Sequence, residues 1–232
     1  MPKGSQKLAK TKTQSFYDRI ADVHNLALKV NGYRKSVAKY LRSLDLKIDA
    51  DSYVLDAGSG TGIVTLGFQD SGFRPKKTIA LDLSINSLKI ARDEFRKERK
   101  KVDAGNIESI QGNVLQLPFG DDAFDLIVTC GVLEYVSLDA GLKEMARVLK
   151  PGCKLVFIPV KPSFVGSVLE LLYNFKIHPL EDVRQISQRY FNIVGNHEFP
   201  IAEPMGWSKT IFLLEKPRRG DAEKVRRGDR TP

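Results

Sequence analysis

VLDAGSGTG, residues 54–62, sets three glycines at alternating positions directly after an apolar run that ends in an aspartate. The run YVLDAG (53–58) reads as a buried strand, and the glycines give the chain a sharp turn with room for a ligand against the backbone. Asp56 offers that ligand an acceptor for hydroxyls or a partner for positive charge. In a doubly wound sheet, ligands bind beyond the carboxyl ends of the strands, near the point where strand order reverses, and the loop after a first strand lies there. Three alternating glycines beside Asp56 favour a ligand over a bare turn.

Outward from this loop, strand and helix patterns alternate. TGIVTLGFQDSG (61–72) predicts a helix closed by glycine, KTIALDLS (77–84) a second strand, and SINSLKIARDEFRKERKK (84–101) a helix with Ser84 as N-cap. IESIQGN (107–113) and AFDLIVTCG (123–131) read as the third and fourth strands. SLDAGLKEMARVLKPG (137–152) predicts a helix stopped by Pro151–Gly152, and CKLVFIPV (153–160) a fifth strand. This spacing means an α/β, Rossmann-like doubly wound sheet with helices on both faces. Past Val160 come two helical stretches, SFVGSVLELLYNF (163–175) and LEDVRQISQRY (180–190), then strands FNIVGNHEF (191–199) and WSKTIFLLEK (207–216). The last two form a hairpin, so one of them runs antiparallel and the expected sheet has seven strands. Upstream, residues 16–44 show helical apolar spacing broken near Asn31–Gly32. The expected organisation is one domain over residues 16–216, with a helical cap at 16–50 and an inserted helical lid at 161–190. Disordered basic tails flank it at 1–15 and 217–232.

The chain has 232 residues, 42% hydrophobic and 28% charged, which is ordinary globular composition. No apolar run approaches the roughly 20 residues of a membrane helix, and MPKGSQKLAKTKTQ lacks the apolar segment of a secretory signal. A cytoplasmic protein is expected. The net charge of +9 invites a nucleic-acid reading, but its location argues otherwise. Residues 1–15 carry four lysines and no acid, and residues 216–232 carry seven basic and three acidic residues, so the ends hold +8 of the total. Solubilising tails are the favoured reading. No specific nucleic-acid partner is expected, and peripheral contact with an anionic membrane is the further role open to the tails. Two cysteines, Cys130 and Cys153, are too few for a disulfide framework; at opposite ends of neighbouring strands they are expected to stay reduced.

The glycine loop departs from the two common nucleotide motifs. A G-x-G-x-x-G fingerprint would need glycine where Thr65 stands, and no Gly-Lys-Ser/Thr follows for a P-loop. The spacing D-x-G-x-G-x-G instead resembles motif I of the class I S-adenosylmethionine-dependent methyltransferases. QGNVLQLPF (111–119) resembles that family's G-D-x-x-x-L-P-F stretch, FDLIVTCGVLEYV (124–136) its fourth strand and following loop, and RVLKPGCKLVF (147–157) the helix, turn and strand after it. The likeness spans roughly residues 16–216.

The resemblance implies S-adenosyl-L-methionine as cofactor, held by Asp56, Gly58, Ser59, Gly60 and Gly62 of the loop and by Asp82 and Leu83 at the end of the second strand. Asp82 would grip both ribose hydroxyls and Leu83 would pack on the adenine. Asn113 replaces the family's acid; its amide oxygen still accepts a hydrogen bond from the adenine amine, more weakly than a carboxylate. The backbone of Val114 would lie along the adenine edge, and Cys130 at the fourth strand's end joins the cofactor set.

Methyl transfer from an activated sulfonium needs alignment and exclusion of water more than a catalytic triad. Glu134 is the candidate general base or acceptor-positioning acid, with a solvent-facing helix-terminal acid as its equal alternative. Tyr17 matches a position where the family's N-terminal helix covers the cofactor. His24, His178 and His197 are isolated, and no cluster has metal-ligand spacing, so no metal is expected. CGVLEY stands where nucleic-acid amino-methyltransferases carry an Asp/Asn-Pro-Pro-aromatic run, which disfavours a nucleobase amine. YDRIADVHNLALKVNGYRKSVAKYL resembles the N-terminal part of ubiquinone and menaquinone biosynthesis C-methyltransferases in helix layout and in its N-G-Y-R turn. SFVGSVLELLYNFK is apolar enough to cover a greasy acceptor, although an ordinary core helix is the favoured reading of it. The expected activity is therefore methyl transfer to a small-molecule acceptor, quinone- or lipid-like. An RNA or protein methyltransferase docking through the tails and a non-catalytic nucleotide-binding module are the alternatives.

Overall fold

The computed structural model describes residues 32–99, 106–218 and 220. Three parallel strands, β1 (Tyr53–Ala57), β2 (Lys77–Asp82) and β3 (Ile107–Gln111), pair in the order β3-β2-β1. β4 (Phe124–Cys130) then returns to the other side of β1, followed by β5 (Leu149–Ile158). The hairpin of β6 (Asn192–Glu198) and β7 (Thr210–Glu215) closes the sheet as β5-β7-β6, with β7 antiparallel to both neighbours. The switch point falls between β1 and β4, where the two crossover directions diverge and leave a crevice at the carboxyl ends.

Helices cover both faces because the central strands are apolar on both sides. In β1 and β4, Leu55 and Ile127 face the cluster with Leu142, Met145 and Val183, while Val54 and Leu126 face the cluster with Val37, Leu41 and Phe68. The first layer is α4 (Leu138–Val148) and α6 (Leu180–Ser187); the second is α1 (Tyr33–Ser43) and α2 (Ile63–Asp70). α3 (Ile85–Arg99) packs Ala91 and Phe95 over Ala80 and Ile107. Ser84 caps α3 as its sequence position suggests, its hydroxyl accepting from Ser87 N–H at 3.1 Å. Gly32, left-handed at φ 69°, precedes α1 at the expected break. The stretch before it and both basic tails lie outside the described residues, save the first few residues of the C-terminal one.

Three elements differ from their sequence expectations. α4 ends at Val148 rather than at Pro151–Gly152, and β5 begins at Leu149. Proline disfavours helical geometry in the residue before it, and buried Leu149 already pairs with Phe124. Pro151 and Gly152 then sit inside β5 at a register shift, where Gly152 (φ 75°) donates to Lys216 O at 2.8 Å. The start of the final strand is taken by a short helix, α7 (Met205–Ser208), so β7 begins at Thr210. Last, α5 (Phe164–Tyr173) is not a core helix: only Gly166 of it is buried, and Phe164, Val168, Leu171 and Leu172 are exposed. Both cysteines are free thiols, as expected. No helix among the described residues is long and apolar enough to cross a membrane.

Candidate functional site

The loop after β1 is stitched to the end of β2 by backbone hydrogen bonds. Gly58 and Ser59 N–H both donate to Leu81 O at 2.8 Å, and Gly60 N–H donates to Asp82 Oδ2 at 2.8 Å. All three loop glycines have positive φ, at 80°, 52° and 85°. They serve different ends, which corrects the view that each leaves room for a ligand. A Cβ on Gly58 would collide with Val132 and one on Gly62 would stand 2.6 Å from Phe95 Cε1, so protein packing demands both. A Cβ on Gly60 would meet nothing within 4 Å. The open space therefore lies at Gly60.

The acids at this end differ in state. Asp82 sits at the rim, with Oδ2 on Gly60 N–H and Oδ1 on Ser84 N–H at 2.8 Å. These two bonds orient the carboxylate. Asp56 is only 3% exposed; Oδ2 accepts from Thr65 Oγ1 at 2.5 Å, and Oδ1 has no partner among the described residues. Burial pushes its carboxyl up to about 7 against the Thr65 hydrogen bond, and the nearby Asp82 charge adds to the rise. The hydroxyls of Ser59 and Thr61 are likewise buried without partners. Among the described residues, four of the nine buried side-chain polar atoms without partners sit at the end of β1, on the loop after it or on the loop after β4, where a polar ligand would satisfy them.

Leu83 exposes its side chain beside Asp82. Asn113 is turned differently from the expectation: its Oδ1 accepts from Leu115 N–H at 2.9 Å, closing a turn, so the amide oxygen reaches a ligand with one remaining lone pair only. Val114 buries its side chain in the core. Cys130 ends β4 level with Ile158, its thiol pushed up to about 11 by burial.

The loop after β4 carries Glu134, which is buried at 5% exposure and does not face solvent, against the alternative raised from sequence. Its Oε1 accepts from Val160 N–H at 2.5 Å, and Oε2 has no partner among the described residues. The connection between α5 and α6 lies over this loop: Lys176 N–H donates to Glu134 O, and His178 Nε2 stands 3.1 Å from Leu133 O. His178 is thus beside the site, whereas His197 lies on edge strand β6 against the Tyr40 ring. Tyr17 and His24 lie outside the described residues. No group of three metal-binding side chains occurs among the described residues. Sequence reasoning missed two functional neighbours. Thr65, read only as a departure from a glycine motif, holds Asp56; Lys209, an unremarkable lysine in WSKTIF, is buried beside Glu134 and Cys130.

A rim carboxylate, an exposed apolar side chain and a buried acid thus meet at the switch point, where doubly wound folds bind their ligands. Residues 55–157 match the family model described as a methyltransferase domain. The ubiquinone/menaquinone biosynthesis C-methyltransferase UbiE of Shewanella woodyi is 37% identical over 131 residues, covering 54% of this chain and 50% of that protein; the Shewanella sediminis protein of the same name is 38% identical over 130. The chain thus spans about half the length of the curated relatives it matches. Among solved structures, the YcgJ protein from Bacillus has a TM-score of 0.62 at 17% identity, covering 79% of this chain and 99% of that one. Geranyl diphosphate C-methyltransferase from Streptomyces coelicolor, in complex with S-adenosyl-L-homocysteine, has a TM-score of 0.65 at 17% identity, covering 77% and 74%. Residues 55–157 are thus similar to a methyltransferase domain, and the fold is shared with solved methyltransferase structures.

Proposed function

We propose that the protein transfers a methyl group from S-adenosylmethionine to a small-molecule acceptor, a quinone precursor or another lipid-like molecule. The observation that carries this reading is the open space at Gly60, bounded by the oriented Asp82 carboxylate and by the unpartnered polar atoms of the β1 loop. S-adenosylmethionine supplies, when bound, a methyl on a sulfonium whose leaving group is a neutral thioether. In this reading Asp82 accepts from the ribose hydroxyls, Leu83 covers the adenine, and Asn113 with the Val114 backbone meets its edge. Asp56 faces the cationic part, while Gly58, Ser59, Gly60 and Gly62 shape the cradle and Cys130 walls it. Glu134 meets the acceptor.

Two observations support a lipid-like acceptor. The curated relatives are named for quinone biosynthesis, and α5 presents Phe164 and Leu171 at 86% and 85% exposure on the segment over the Glu134 loop. The same face, with the basic ends of the chain, supports peripheral contact with an anionic membrane in the cytoplasm. The test is transfer of labelled methyl into a cell extract split into lipid, RNA and protein fractions. Label in the lipid fraction supports the reading. Label in RNA or protein, lost when residues 1–15 and 217–232 are removed, replaces it with a macromolecular acceptor docked through the basic ends.

A further inference from the structure

α5 is one half of a larger apolar face. The other half is the connection between β6 and β7, where Ile201 is 83% exposed and Trp207, the chain's single tryptophan, is half-exposed. Ser163 joins the two: its hydroxyl accepts from Gly166 N–H at the start of α5 and donates to Trp207 O at 2.7 Å. Lys161 N–H donates to Ser208 O beside it. Six of the nine large apolar side chains exposed among the described residues lie on these two segments: Phe164, Val168, Leu171, Leu172, Ile201 and Trp207. The four on α5 fall at i, i+4, i+7 and i+8, one stripe of a helix. α5 follows β5, and Thr210 starts the antiparallel β7, so the face stands at the carboxyl end of the sheet, the end that carries Gly60 and Asp82.

Polar atoms around this face are used within the chain. Trp207 Nε1–H donates to Ile201 O at 2.7 Å, Glu170 Oε1 accepts from Ile177 N–H at 2.8 Å, and Lys161 pairs with Glu198. The indole can therefore enter an apolar medium without leaving a bare donor, and tryptophan suits the boundary between water and hydrocarbon. A protein partner would want hydrogen-bonding groups at such an interface; a lipid surface asks for none. Charge points the same way. Lys161 and the exposed Lys176 bracket α5, whose one acid, Glu170, is turned onto Ile177. Residues 1–15, with four lysines and no acid, join the described fold through 16–31 at Gly32. The next residue, Tyr33, sets its hydroxyl 3.4 Å from Ser208 Oγ, next to Trp207, so basic chain enters beside the face. A second copy of a chain with net charge +9 would be repelled from it, whereas an anionic surface attracts it. We propose that α5 and the Ile201–Trp207 connection dock together on the surface of an anionic lipid bilayer, burying both apolar segments at the headgroup boundary and turning the carboxyl ends of the strands toward the lipid. The inference rests on the methyl-transfer reading for its use, delivery of a lipid-like acceptor from the bilayer, and adds to it the second docking segment and the orientation of the site.

The test is the fluorescence of Trp207, whose signal is unmixed because the chain has no other tryptophan. Wild-type protein, with no cofactor or acceptor added, is titrated with vesicles of phosphatidylcholine and phosphatidylglycerol, and separately with phosphatidylcholine alone. Emission is expected to move to shorter wavelength on the anionic vesicles and to be quenched when their acyl chains carry bromine. Phe164→Glu and Ile201→Glu, one on each segment, are each expected to weaken vesicle binding about tenfold or more, the scale of withdrawing one large apolar side chain from hydrocarbon. Their melting temperatures are expected to stay close to wild type, as exposed positions allow. No spectral shift or no bromine quenching in wild-type protein, equal binding to phosphatidylcholine alone, or binding unchanged in both variants overturns the inference. So does a lipid-free dimer in sedimentation that either variant dissociates, which would give the face to a second copy. Failure of S-adenosylhomocysteine to bind wild-type protein overturns the methyl-transfer reading instead and leaves vesicle binding as it is.

Discussion

Gly60 and Asp82 carry the most direct residue-level tests. The positive φ of Gly60 costs an alanine roughly 1–3 kcal/mol of folding stability, yet its Cβ meets no protein atom. Gly60→Ala is therefore expected to fold and to bind S-adenosylhomocysteine at least about tenfold more weakly, read by calorimetry. Unchanged affinity would place the ligand elsewhere. Gly58→Val is a poorer probe, because its side chain strikes Val132 whether or not a ligand is present. Asp82→Ala removes an oriented carboxylate and is expected to cost about 1–3 kcal/mol of cofactor affinity. Asn113→Asp keeps an oxygen for Leu115 N–H and adds charge, so equal or tighter binding is expected in the same titration. The loop residues were legible because glycine and acid spacing encode backbone geometry directly. Lys209 was not, because its neighbours Gly131 and Glu134 come from more than seventy residues away in sequence, and only strand pairing brings them together.

Among the elements, α5 and β5 show where periodicity stops being informative. Phe164, Val168, Leu171 and Leu172 make one apolar helical stripe, and a stripe reads the same whether it meets a core or water. Burial is decided by what the rest of the chain places opposite. Leu171→Ser and Phe164→Ser together are expected to shift stability by less than about 1 kcal/mol, as exposed positions do. The same pair is expected to reduce co-sedimentation with vesicles of anionic lipid; a large loss of melting temperature would instead show that the stripe is covered. In β5, the run VLKPG was misread because Pro151–Gly152 commonly ends helices, while the actual stop is Val148 and the proline is accommodated at a strand irregularity. The alternation of the four preceding strands with their helices was legible because each keeps one period over its whole length.

At the scale of the molecule, the sheet order places Asp56 under the open loop and couples stability to ligand and pH. Its folded pKa of about 7 lies above the ordinary carboxylate value. The folded state then keeps a proton that the unfolded chain releases, so this stabilisation is full below about pH 4. It fades as pH rises through 7. Asp56→Asn is expected to flatten that part of the pH profile of thermal stability between about pH 4 and 7. A cation-bearing ligand reverses the preference by favouring the carboxylate, so the added stability from S-adenosylmethionine is expected to grow over the same range. The seven-stranded sheet with one antiparallel hairpin strand followed from the alternation of elements, the closing hairpin and the family likeness; the contacts between the acceptor-side groups did not, since they depend on long-range register.

The most direct measurement is a thermal-shift titration of the wild-type chain with S-adenosylhomocysteine, run beside NAD and NADP. A ligand that binds only the folded state raises stability by mass action. The expected result is a concentration-dependent rise with S-adenosylhomocysteine and none with either nicotinamide dinucleotide. A rise with NAD or NADP alone would contradict the assignment of the Gly60 space to an adenosyl sulfonium, and methyl transfer would fall with it.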